Sequence, residues 1–226
     1  MSSSPVCISD LIAHGIVFNP RHPVGLSAMD LDYLLASIPS LFDLLDEREV
    51  DYVLVGGIAM RVHTPGRNAQ DIDLIVPADQ LDRIPEVSVV DRKDSFARAE
   101  FCGLQIDLLL SDHALFDIVR QRHARRERFV ERDIICATVE GLLLLKLFAL
   151  PSLYRERRFS RVEDYEHDMA VLLREHRPEM EPIYEELVRH VSATDLIEIK
   201  SIVDGIQRRI AESATRFTPR PPPAGS

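Results

Sequence analysis

Residues 52–76, YVLVGGIAMRVHTPGRNAQDIDLIV, constrain this chain more than any other stretch. An apolar strand over 52–55 runs into Gly56-Gly57. A short helix is predicted from Ile58, then a loop, then a second strand over 71–76. Alternate residues of a strand face opposite sides. Asp71, Asp73 and Ile75 therefore share one face, while Ile72, Leu74 and Val76 point into a core. Two carboxylates on one face, with no basic residue between them, repel unless a cation sits there. The plainer alternative is two solvated acids on an edge strand.

The glycine pair bears on that choice. Glycine permits a tight turn and close backbone approach, and a helix N-terminus offers free N–H groups to an anion. No G-x-x-x-x-G-K-[ST] occurs, which excludes a P-loop. A phosphate-binding corner followed by paired, metal-binding acids suits a nucleoside triphosphate. A third acid lies in LQIDLLL, residues 104–110, which reads as a buried strand with Asp107 facing away from Ile106 and Leu108. An unpaired buried carboxylate costs several kcal/mol, roughly. Asp107 thus needs a metal shared with Asp71 and Asp73, an arginine partner, or exposure on a half-covered strand.

V-G-G-x-A, then G-R, then D-I-D-L-I-V together resemble the nucleotidyltransferase fold of the DNA polymerase β-like superfamily, and most nearly the AbiEii/MenT-type toxin nucleotidyltransferases. The resemblance implies an α/β (α+β) fold, a mixed sheet flanked by helices with a helical C-terminal half. It implies Mg2+ (or Mn2+) on Asp71, Asp73 and Asp107, and an NTP as substrate. Farther along, Lys146 with Ala149 and Leu150 corresponds to a lysine motif of these proteins. Arg161, Asp164 and Asp168 correspond to an acidic motif, with Glu163 in place of a lysine. The implied catalytic set is Asp71, Asp73, Asp107, Lys146 and Asp164. The implied nucleotide-binding set is Gly56, Gly57, Arg61, Arg67, Lys146 and Asp168. Two positions depart from the pattern: Ala69 stands where threonine is common, and Ile58 where many relatives have serine.

The acceptor implied is tRNA or another macromolecule, in a toxin–antitoxin-like system with a cognate antitoxin. Alternatives are an antibiotic nucleotidyltransferase acting on an aminoglycoside or lincosamide, and a degenerate, non-catalytic nucleotide-binding or regulatory partner. The net charge of −10 argues against a general nucleic-acid coat. It leaves room for a local docking surface at Arg120, Arg122, Arg125, Arg126, Arg128 and Arg132, or at Arg155, Arg157, Arg158 and Arg161. Mixed with Glu127 and Glu131, such runs are more often solvated surface.

Three widely spaced cysteines, Cys7, Cys102 and Cys136, form neither a zinc pattern nor a disulfide framework. With no secretory signal and no membrane-spanning apolar run, a cytoplasmic protein is expected. The expected organisation is an N-terminal extension (1–26) without sustained periodicity, a nucleotidyltransferase-like domain (27–137), a helical domain (138–214) and a disordered tail (215–226). Ser27 and Asp30 suggest a capping box for one helix, and Pro39 the start of a second reaching Glu47. A ribbon of strands is expected at 87–90 and 96–101, a helix at 113–120, and strand segments within 129–136. Thr138 is expected to cap a helix ending near Leu150, on whose apolar stripe Lys146 would snorkel at a rim. Ser160 and Glu163 suggest a cap for the next helix, and further helices are expected around 184–191 and 195–214.

Overall fold

The structure is a computed structural model that describes residues 6–17, 28–64, 71–130 and 132–215. In chain order it contains α1 (Ile8–Val17), α2 (Ala28–Glu47), β1 (Val53–Val55), α3 (Gly56–His63) and β2 (Ile72–Val76). A 3-10 turn over Ala78–Arg83 leads to β3 (Ser88–Lys93), β4 (Phe96–Phe101), β5 (Leu104–Leu110) and α4 (Ala114–Arg122). Then come β6 (Ala124–Arg128), β7 (Asp133–Ala137), α5 (Val139–Arg155), α6 (Phe159–His176), α7 (Met180–Leu187) and α8 (Ala193–Thr215).

The described strands form one mixed sheet in the order β3-β4-β5-β2-β1-β7-β6. β2 runs parallel to β5, and β1 parallel to β7; the other neighbours are antiparallel. Ile72, Leu74 and Val76 on β2, with Ile106, Leu108 and Leu110 on β5, are buried on one face. This is the expected α/β architecture, a mixed sheet with helices around it. The chain divides into two compact units, Met1–Leu145 and Lys146–Ser226, and the boundary falls inside α5. Among the described residues no helix is long and apolar enough to cross a membrane.

Several elements differ from the sequence expectation. α2 is one helix that continues through Pro39, not two. A proline inside a helix costs about 3 kcal/mol through its missing donor and ring clash. Ile38, Leu41, Phe42 and Leu45 lie on one stripe and are all buried. At about 1.5–3 kcal/mol for each such side chain, their burial outweighs the proline. The N-terminal stretch holds a helix, α1, with Ile8, Leu11 and Ile12 buried. Val6 bridges to Phe129, and its carbonyl accepts from Val130 N–H at 2.9 Å.

α5 passes through Pro151 and reaches Arg155, beyond the expected end. α6 begins at Phe159 with Arg158 at its N-cap and no side-chain cap, so Ser160 lies inside the first turn. The arginine run folds partly as β6, an edge strand placed earlier than expected. Ser27, Arg67, Ala69 and the tail from 216 onward lie outside the described residues.

Candidate metal centre

The site grows from the pairing of two neighbouring strands. β2 and β5 are parallel with Asp73 in register with Asp107, so their side chains leave the same face of the sheet. Asp71 precedes Asp73 by two residues, at the bend that opens β2. One carboxylate oxygen from each of Asp71, Asp73 and Asp107 lies within 4.8 Å of the others, and all three residues are half-buried. A Mg–O bond of about 2.1 Å puts opposite ligands of an octahedron about 4.2 Å apart. An all-oxygen donor set of this size suits Mg2+ or Mn2+ better than a soft metal.

The glycine corner abuts this cluster. β1 is antiparallel to β2 with Val55 opposite Asp73, and α3 starts at the next residue, Gly56. Gly56 has φ +65°, and a Cβ built there would lie 1.9 Å from Asp73 Oδ2. Any side chain at 56 would therefore displace the carboxylate. The sequence suggested that this glycine lets phosphate come near; the structure shows that it makes room for Asp73. Val55, the N-cap, supplies no side-chain hydrogen bond to α3. The first N–H groups of a helix lack intrahelical acceptors, and the Asp73 carboxylate lies against Gly56 at that turn.

Asp107 satisfies two of the three options read from the sequence. It is partly exposed, and its Oδ1 accepts from Arg98 Nε at 3.4 Å and Gln105 Nε2 at 3.5 Å. Arg98 was missed from sequence, though a signal existed. Cys102 and Gly103 form a two-residue turn with φ of +50° and +84°, the positive pair of a type I′ hairpin. Such a turn fixes the register of β4 on β5 and sets Arg98 opposite Asp107.

The remaining candidates lie in two places. Gly57 is the second residue of α3. Arg61, on the same helix, is half-buried, with a buried Nε that has no hydrogen-bond partner among the described residues. Lys146, Asp164 and Asp168 belong to the second compact unit. Lys146 does not snorkel: it is buried, donates to Asp168 Oδ2 at 2.6 Å, and sits 4.4 Å from the centre of the Tyr165 ring. Asp168 is buried too, whereas Asp164, one turn earlier, is exposed.

The arginine run is largely neutralised from within. Arg120 pairs with Asp51 and Asp117, Arg125 with Glu127, Arg128 with Asp133, and Arg132 with Asp43 and Asp46. In the helical unit Arg155 pairs with Asp195 and Arg158 with Glu156.

No protein-family model matches the chain, and no curated protein matches it in sequence. Solved structures do. An antigenic nucleotidyltransferase-like protein from Paracoccidioides brasiliensis is similar at 14% identity and TM-score 0.50, over 81% of this chain and 91% of that one. The crystal structure of ANT(2'')-Ia in complex with adenylyl-2''-tobramycin is similar at 15% identity and TM-score 0.47, over 77% of this chain and 97% of that one. The chain has a nucleotidyltransferase fold, with Asp73 on β2, Asp107 paired to it on β5 and Asp71 just before β2 converging at one site.

Proposed function

We propose that this chain is a metal-dependent nucleotidyltransferase: an acceptor hydroxyl attacks the α-phosphorus of an NTP, the bond to the β-phosphate breaks, and pyrophosphate leaves as the nucleoside monophosphate is transferred. The observation that carries the reading is the convergence of Asp71, Asp73 and Asp107 beside the α3 N-terminus, with one oxygen of each within 4.8 Å of the others. Asp71, Asp73 and Asp107 would hold Mg2+ or Mn2+. When bound, the metal would offset charge building on the phosphate oxygens. Asp107 would also accept the acceptor hydroxyl's proton. The backbone N–H groups at Gly56 and Gly57 donate to phosphate oxygens. Arg61 and Arg67 supply positive charge to the triphosphate. The assignment of Arg67, Lys146, Asp164 and Asp168 to the nucleotide rests on the resemblance alone.

Of the acceptor classes, a small cationic molecule bearing a hydroxyl, of the aminoglycoside type, fits better than tRNA. The arginines that would meet a phosphate backbone are mostly held by the chain's own carboxylates, and the net charge is −10. A phosphate-binding surface needs cations available to displace counterions. A toxin-type enzyme with a macromolecular acceptor and an antitoxin partner is the second outcome of the same experiment. Four α-labelled NTPs with Mg2+ are incubated with the protein and either total RNA or an aminoglycoside and lincosamide panel. Label is expected on a small molecule, and Asp71→Asn or Asp73→Asn should abolish its transfer. No transfer to any acceptor, together with no thermal stabilisation by any NTP and Mg2+, would reject the enzyme reading.

A further inference from the structure

We propose that Arg98 is a built-in counter-cation for Asp107, occupying that carboxylate in place of a divalent ion and setting how tightly the three acids take up metal. The inference rests on the metal-site reading above and adds a residue to it. Three carboxylates gathered within 4.8 Å repel one another, and a nearby cation relieves that repulsion. The fold provides one. Arg98 lies opposite Asp107 across the β4–β5 pair, and its Nε is 3.4 Å from Asp107 Oδ1. On its other side Arg98 is in register with Asp91 of β3, yet the ion pair found for the guanidinium is with Asp107.

The pair is lopsided in a useful way. The Asp107 side chain is 23% exposed and that of Arg98 is 58% exposed. Arg98 can therefore leave on its long stem without uncovering any core, while Asp107 stays on the sheet. A guanidinium remains charged at any working pH and cannot be titrated away. It leaves only when a stronger cation takes its place. Both bonds found for Asp107, from Arg98 and from Gln105, converge on Oδ1. An ion that recruits Asp107 through that oxygen competes with both donors for its lone pairs, whereas one that uses Oδ2 shares the residue with Arg98 and meets its repulsion. Either route makes uptake at Asp107 weaker than three bare acids would allow.

The test is Mn2+ binding to the full chain, read as free Mn2+ by electron paramagnetic resonance, with no turnover involved. Exposed ion pairs of this kind contribute little, so removing one is expected to tighten Mn2+ binding by about fivefold in Arg98→Gln. Arg98→Lys keeps the charge and should bind as the unaltered chain does. In an Asp107→Asn background, Arg98→Gln should have no further effect, because the charge that Arg98 answers is gone. Unchanged or weaker binding in Arg98→Gln overturns the counter-cation role, as does tightening that persists without the Asp107 charge. Asp71→Asn separates this from failure of the metal reading. If it leaves Mn2+ binding untouched, no ion sits among the three acids and both inferences fall.

Discussion

Asp73 has a glycine across the corner because no other residue leaves it space. Gly56→Ala would push a methyl group into Asp73 Oδ2 and hold an L-residue at φ +65°. The expected result is a loss of about 1–3 kcal/mol in urea unfolding and a fall in Mn2+ affinity as Asp73 is displaced. The acids themselves were legible in the sequence: strand alternation set Asp71 with Asp73, and Asp107 was the one charge in LQIDLLL. The crowding at Gly56 was not, because it depends on the register of Val55 against Asp73.

Lys146 shows the same limit. Its place on an apolar stripe was visible, but its partner lies 22 residues away on another helix. Lys146→Ala removes the ammonium that pairs with buried Asp168 and is expected to destabilise the chain by about 3–5 kcal/mol. Lys146→Met combined with Asp168→Leu should recover most of that loss, measured by the same denaturation. Recovery would assign the pair a packing task; continued instability would point to a further group relying on it.

Helices and strands were easiest to read where periodicity was unbroken and hardest where one residue type suggested a boundary. β4 and β5 match their expected spans because alternation and a two-residue turn define them. Pro39 misled because local propensity favours a break, while Ile38, Leu41, Phe42 and Leu45 hold the helix together from outside. Pro39→Ala is therefore expected to stabilise α2. It restores the donor to the Leu35 carbonyl, and a gain of about 1–3 kcal/mol should appear as a higher Tm. The arginine-rich segment misled in the opposite sense: its charges hid an edge strand, β6, whose backbone pairs residue by residue with β7.

For the whole molecule, the mixed sheet was legible through the superfamily resemblance and its strand order was not. Strand order depends on non-local pairing that no single stretch encodes. Differential burial of the thiols offers a probe of the intact fold. Cys102 is exposed at the β4–β5 turn and Cys136 is fully buried on β7. Burial above all, with help from Glu127, pushes the Cys136 thiol well above its ordinary range. Since the thiolate is the reactive form, alkylation of the native protein should modify Cys102 readily and Cys136 only after unfolding. Fast labelling at Cys136 would mean that β7 opens far below global unfolding.

The crowded corner between Gly56 and Asp73 also has a consequence over evolutionary time. A descendant that loses the acid at 73 is released from its need for glycine at 56, and side chains can then accumulate there. Among relatives of this chain the two positions should drift together. A bulky residue at the first would mark lineages that have lost the acid at the second.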